Sequence, residues 1–195
     1  MNKHFFAIIS RMKYINRWGL MRNTRNENLS EHSFEVAVTA HALAVIKNTY
    51  FGGNLDCDRA AVLALYHDAP EILTGDMPTP VKYYNEQTKA AYDEVENTAI
   101  ERFLNMLPDG MQSAYTSLFQ KQEGDEYLWK LVKAADSISA LIKCTEEEKS
   151  GNREFSGAKK GIEKKVKAID LPEVKYYLDN FLPSFELTLD EHTHA

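Results

Sequence analysis

The chain has 195 residues, 44% of them hydrophobic and 27% charged, with a formal net charge of −6. That length and mix predict one compact soluble domain with a real core, residues 1–195, flexible from about 187 onward. Acidic balance with dispersed Lys and Arg excludes tight non-specific binding to a nucleic-acid backbone, but a small phosphorylated ligand needs only one or two cations. No apolar run reaches membrane-spanning length, because Arg11 and Lys13 interrupt the opening too soon for a signal or membrane helix. Cys57 and Cys144 have no ligand-like spacing, so the reducing cytoplasm is the expected location.

Taken in order, Phe5, Ile8, Ile9, Met12 and Ile15 recur at spacings of three and four and predict an amphipathic helix to about Asn16. Periodicity then stops. From Arg17 to Asn28 runs a long loop with three arginines, and loops of this length are functional or disordered. Trp18 beside Arg17 fits a stacking surface next to a phosphate clamp, or equally a core plug beside a solvated cation. Ser30 reads as the N-cap of the next helix, with Glu31 in its first turn and Leu29 stapled to Phe34. That places His32 near a helix N-terminus. His41, nine residues on, falls on the opposite face and is left to packing.

The stretch Ala60 to Leu73 reads as one buried helix, capped by Asp56 or Asp58 and ending at Thr74-Gly75. Within it stand His67 and Asp68, with Glu71 on the same face. An unpaired carboxylate in an apolar helix costs several kcal/mol by itself, and a partner charge or a metal is the usual remedy. The bland alternative is a satisfied hydrogen-bonded His-Asp pair. Asp76-Met77-Pro78-Thr79-Pro80 follows, where two prolines in three residues predict an extended turn. Asp76 and Thr79 suit ligand contacts or helix capping equally well.

A long amphipathic helix is expected from Val81 to about Leu107, a shorter one over Met111–Phe119, and a strongly apolar one over Tyr127–Ile142. Asp136 sits at the centre of the last, a second carboxylate where a core helix should avoid one. Cys144 to Lys149 reads as a solvated helix end. Lys159, Lys160, Lys164, Lys165 and Lys167 form an exposed basic face, and Leu171-Pro172 opens a final helix closed by Pro183. His192 and His194 fall in a tail expected to be disordered. No strand-like alternation is present, so the fold class is all-α.

His32, His67, Asp68 and Asp136 lie on three separate predicted helices. Two imidazoles and two carboxylates make a mixed shell for one divalent ion such as Co, Mn, Zn, Fe or Mg, with positions left for water and substrate. The order H…HD…D resembles the HD-domain metal-dependent phosphohydrolases. Arg17-Trp18, Ser30-Glu31-His32-Ser33, Tyr66-His67-Asp68-Ala69-Pro70-Glu71, Thr74-Gly75-Asp76-Met77-Pro78-Thr79-Pro80-Val81-Lys82-Tyr83 and Lys133-Ala134-Ala135-Asp136 together resemble the bacterial 5′-deoxynucleotidase branch, the YfbR type. Pro70 is the one oddity, since a Ser or Thr is the expected residue there.

The resemblance implies a compact helical HD domain and a cytoplasmic homodimer. Its substrates are deoxyribonucleoside 5′-monophosphates, cleaved to nucleoside and phosphate with little regard to base. His32, His67, Asp68 and Asp136 are implied as metal ligands. Glu71 is implied as the acid/base group and Arg17 as the phosphate-orienting catalytic group. Substrate contacts are implied for Arg17, Trp18, His32, Asp68, Asp76, Met77, Pro78, Thr79 and Asp136, with Trp18 and the 76–79 loop at the sugar. A cyclic-nucleotide or triphosphate hydrolase on the same fold would need more metals or more cations. A non-catalytic helical module with a structural ion gives no reason for Glu71 and Arg17.

Overall fold

A computed structural model describes residues 3–82 and 84–193. Tyr83, read as part of the proline-loop motif, and His194 and Ala195 of the tail lie outside the described residues. The elements are all helical: α1 Phe5–Ile9, α2 Leu29–Tyr50, α3 Cys57–Tyr66, α4 Glu71–Thr74, α5 Thr79–Lys82, α6 Glu86–Asn105, α7 Asp109–Phe119, α8 Glu126–Lys149, α9 Ser156–Lys167, α10 Pro172–Asn180 and α11 Leu189–Thr193. Three 3-10 turns interleave with them at Ser10–Tyr14, Arg153–Phe155 and Leu182–Glu186. The only extended pairing among the described residues is an isolated bridge between Asn16 and Asn28.

Two apolar clusters organise the chain. One joins α2, α3 and α8 through Val36, Leu43, Leu63, Leu131 and Ile138, with Val166 of α9 and Val174 of α10 against it. The other gathers Phe5, Met12, Leu29, Ala69, Ile72, Phe103 and Leu107. Each fully buried Leu or Phe contributes about 1.5–3 kcal/mol relative to an exposed one. His32 lies between Leu29 of the second cluster and Val36 of the first, and His67-Asp68 between Ala64 and Ala69 in the same way. The seam between the clusters is therefore where polar groups are held.

Several local expectations change. The cap of α2 is Asn28, not Ser30: its side-chain oxygen accepts from the Ser30 and Glu31 amides at 3.0 and 3.1 Å, and its own amide donates to the Glu31 carboxylate. Asparagine one residue earlier satisfies two orphan donors at once. Phe34 is 65% exposed, so it staples nothing to Leu29. The stretch from Ala60 to Leu73 is not one helix. The chain turns at residues 67–70, because Pro70 has no N–H to continue the ladder and is tolerated only ahead of the first turn of α4.

Pro80 likewise falls in the first turn of α5, so the segment predicted to be wholly extended becomes a short helix at Thr79. The long helix starts at Glu86 rather than Val81, with Asn85 capping it through the Thr88 amide at 2.7 Å. Asp56 caps α3. Cys144, Thr145 and Glu147 are buried, not part of a solvated end, because residues 22–25 and 152–155 fold over them. The segment expected to be loose is α11 in its described part.

Candidate metal and phosphate site

The break at 67–70 places His67 at the end of α3, where its Nδ1 lies 2.7 Å from the Ala64 carbonyl oxygen. A carbonyl only accepts, so Nδ1 carries a proton, and Nε2 is the nitrogen that can ligate once the ring is neutral. His32, in the first turn of α2, is fully buried, and its Nδ1 lies 3.2 Å from the Ser139 hydroxyl. His32, His67, Asp68 and Asp136 each offer one donor atom, and the four atoms lie within 4.8 Å of one another. The closest approaches are His67 Nε2 to Asp68 Oδ2 at 3.1 Å, His32 Nε2 to Asp136 Oδ1 at 3.2 Å and His32 Nε2 to Asp68 Oδ2 at 3.4 Å. Ligands about 2.1 Å from one centre sit roughly 3 to 4 Å apart, so the spacing fits a first-row divalent ion.

The unmet valences fit as well. Nε2 of His32 and of His67 are both buried without a hydrogen bond, a costly state for polar atoms unless something else binds them. Burial opposes charge on His67, but the Asp68 and Asp136 carboxylates outweigh it and raise the imidazole to about 9. His32 is raised by Asp136 and Asp68 against the same opposition. Burial would lift Asp68, yet His67 and His32 hold it well below the usual carboxylate range. In each case the pocket favours positive charge at its centre.

Beside this group stands Arg17. Its Nε lies 3.1 Å from Glu27 Oε2, and Nη1 lies 3.3 Å from Asp76 Oδ1 and 3.5 Å from Asp68 Oδ2. Burial works against the guanidinium, but Asp76, Asp68, Glu27 and Asp136 together raise its pKa above the ordinary arginine value. Four carboxylates around one cation would repel a phosphate. An anion can bind here only together with a second positive charge, which the four ligands are placed to hold.

Trp18 is pinned rather than free: its amide donates to Asp76 Oδ2 at 3.2 Å and its Nε1 to Glu27 Oε2 at 3.0 Å. The indole also rests against Phe155, with ring centroids 5.3 Å apart. Asp76 thus ties Arg17 and Trp18 to the loop after α4. Met77 and Pro78 are half-buried in that loop, and Thr79 is exposed at the start of α5. Glu71 is not one of the four converging ligands. It is buried, with Oε1 3.7 Å from Lys82 Nζ and Oε2 without a partner. Burial, then Asp68 and Asp76, push its carboxyl up to about 8 against the pull of Lys82 and Arg17.

Three residues of this neighbourhood carry no sequence signal: Glu27 joins Arg17 to Trp18, and Ser139 with Glu35 stands behind His32. Lys82, quoted only as part of the proline-loop motif, lies 3.7 Å from Glu71 and 2.9 Å from Glu96. Each meets its partner across many residues of chain. His41, set aside from the sequence, is indeed apart, 3.9 Å from Asp58 on a half-exposed face.

Comparison with known proteins agrees with this construction. The profile described as 5′-deoxynucleotidase YfbR-like matches residues 4–185. A 5′-deoxynucleotidase of Erwinia tasmaniensis is 50% identical over 97% of this chain and 96% of its own. An HD-domain phosphohydrolase structure from Listeria innocua superposes with a TM-score of 0.82 at 23% identity, covering 99% of this chain and 93% of that one. The cyanophage S-2L HD phosphohydrolase DatZ, bound to dA and one catalytic Zn2+ ion, superposes at 0.64 with 17% identity over 91% of this chain and 96% of its own. Matched along nearly its whole length in sequence and in fold, the chain belongs to the YfbR-like 5′-deoxynucleotidase family.

Proposed function

We propose that this chain is a metal-dependent 5′-deoxynucleotidase that hydrolyses deoxyribonucleoside 5′-monophosphates to deoxynucleoside and phosphate. The observation that carries the reading is the pair of buried, unpartnered imidazole nitrogens converging with Asp68 and Asp136 beside Arg17. His32, His67, Asp68 and Asp136 would hold one divalent ion. When bound, such an ion neutralises phosphate charge and makes a water more acidic than bulk solvent does.

The chain's own residues do the rest. Arg17, held in place by Glu27 and Asp76, directs its guanidinium at the non-bridging phosphate oxygens. The attacking water forms the new O–P bond as the bond from phosphorus to the 5′-oxygen breaks. Glu71, buried beside the ligands with one carboxylate oxygen unpartnered, takes the proton from water and returns one to the leaving oxygen. Trp18 and the loop Asp76, Met77, Pro78 and Thr79 enclose the sugar and leave no room for a 2′-hydroxyl. These groups serve phosphate and sugar, so the base is read little.

The test is turnover of dAMP, AMP and mono-, di-, tri- and cyclic nucleotides by chelated protein refilled with Mn2+, Co2+ or Zn2+. Metal-restored release of phosphate from dAMP, with AMP much poorer, is expected. Turnover of a cyclic or triphosphate substrate above dAMP would sink the reading. Glu71→Ala should keep metal binding and bind dAMP while losing about 100-fold or more in kcat.

Two further features belong to the same reading. The chain pairs with a second copy through exposed apolar side chains of α2 and α3, among them Phe34 at 65% and Leu65 at 41% exposed. Sedimentation of a Phe34→Asp/Leu65→Asp variant should show monomer where the parent is dimer. The protein works in the cytoplasm, in keeping with its two free cysteines.

A further inference from the structure

A histidine ligates a metal only through a nitrogen without a proton, so each imidazole here needs its proton fixed on Nδ1. At His67 the Ala64 carbonyl does this directly. At His32 the neighbour is a hydroxyl, Ser139 Oγ at 3.2 Å, and a hydroxyl can donate as readily as it accepts. Left to itself, Ser139 could donate to Nδ1, put the proton on Nε2 and disable the ligand.

A third group removes the ambiguity. Ser139 Oγ lies 2.6 Å from Glu35 Oε2, and an ionised carboxylate has no proton to give. Ser139 therefore donates to Glu35, and its oxygen is left to accept from His32 Nδ1–H. The helices provide this arrangement by simple periodicity. His32 and Glu35 are three residues apart on α2, and Asp136 and Ser139 are three apart on α8, so each helix brings one ligand and one supporting group to the same contact. Ser139 and His32 are both fully buried, so no water competes for the bonds.

We propose that Glu35 and Ser139 are positioning residues that set the tautomer of His32 and thereby the affinity of the site for its divalent ion. This rests on the metal reading above, and the experiment separates the two. Mn2+ is titrated calorimetrically into metal-free parent, Ser139→Ala, Glu35→Leu, Glu35→Gln and the Glu35→Leu/Ser139→Ala double variant.

Ser139→Ala and Glu35→Leu should each bind Mn2+ about 10–100-fold more weakly, the usual cost of losing such support. The double variant should be no weaker than Ser139→Ala, because the two groups act in series. Glu35→Gln keeps the size and an acceptor oxygen, so it should stay within about threefold of the parent and serves if Glu35→Leu does not fold. Long-range proton–nitrogen correlation on metal-free protein with neutral imidazoles should show Nδ1–H at both His32 and His67. In Glu35→Leu only His32 should change. No Mn2+ binding by the parent overturns the metal reading itself. Parent-like affinity in both Ser139→Ala and Glu35→Leu, additive losses, or an Nε2–H tautomer at His32 in the parent overturns this inference alone.

Discussion

Glu147→Ala tests how the loop bearing Arg17 and Trp18 is held. Glu147 is 1% exposed and gathers donors from three segments. The Thr24 amide donates at 2.9 Å and its hydroxyl at 2.7 Å, Asn152 Nδ2 donates at 2.8 Å, and Lys143 Nζ, itself buried, completes the set. Truncation leaves the Lys143 ammonium with the Arg25 carbonyl and the face of the Phe155 ring, and strands the Thr24 amide. Removing one partner of a buried pair costs about 3–5 kcal/mol. Because Glu147 also lines an open pocket of about 480 Å3, water can enter, and the lower end, about 3 kcal/mol, is expected here.

At 2–4 °C per kcal/mol for a chain of this size, that is a fall in Tm of roughly 6–12 °C. The charge adds a pH signature. Lys143, Asn152 and Thr24 outweigh burial and hold the carboxyl well below its ordinary range. Its contribution is therefore present above the unfolded-state pKa of about 4.3 and is lost as pH falls toward the folded value. Melting curves of parent and variant should differ most at pH 7 and progressively less as the pH is lowered through 4 and 3. A Glu147→Leu/Lys143→Met variant should recover part of the loss, since no charge is left unpaired. A Tm change under 2 °C at pH 7, or a double variant that loses the sum of both singles, would refute the reasoning.

Other expectations concern the site. Asp68→Ala and Asp136→Ala should each abolish calorimetric binding of Mn2+ while the helical circular-dichroism signal persists; undiminished affinity in either removes that residue from the ligand set. Trp18→Ala should narrow the ratio of kcat/KM for dAMP over AMP by about tenfold or more, since a steric wall acts on the 2′-hydroxyl alone. An equal loss on both substrates would make Trp18 a packing residue only. Mn2+ affinity should rise with pH and level off near 9, because the ion must displace the proton that Asp68 and Asp136 hold on His67. A pH-independent affinity would show that His67 is not a ligand.

The all-helical class and the four converging residues were legible from the sequence because their signal is local. His67-Asp68 and Asp136 are polar groups in apolar helical stretches, and Arg17-Trp18 breaks the periodicity of its surroundings. What escaped is long-range. Ser139 meets His32 across 107 residues and Thr24 meets Glu147 across 123, and neither pattern marks itself locally. The break at 67–70 was half-visible: Pro70 already stood out as an oddity, but the apolar pattern runs on through it and suggested a kink in one helix rather than a break between two. Asn28 displaced Ser30 as cap because both are good caps and only geometry chooses between them.

Trp18 has φ of +58°, the one non-glycine residue among those described with a left-handed backbone. An L-residue there gives up about 1–2 kcal/mol relative to glycine. The indole offsets that cost by resting on Phe155 and donating to Glu27, so glycine or asparagine at position 18 would relieve the strain but forfeit both contacts. Either would keep the turn closed by the Met21 amide on the carbonyl of residue 18. The backbone here accepts strain to hold one aromatic ring at a fixed angle beside Arg17, and consensus or stability screening at this position acts on the ring's placement as much as on the turn.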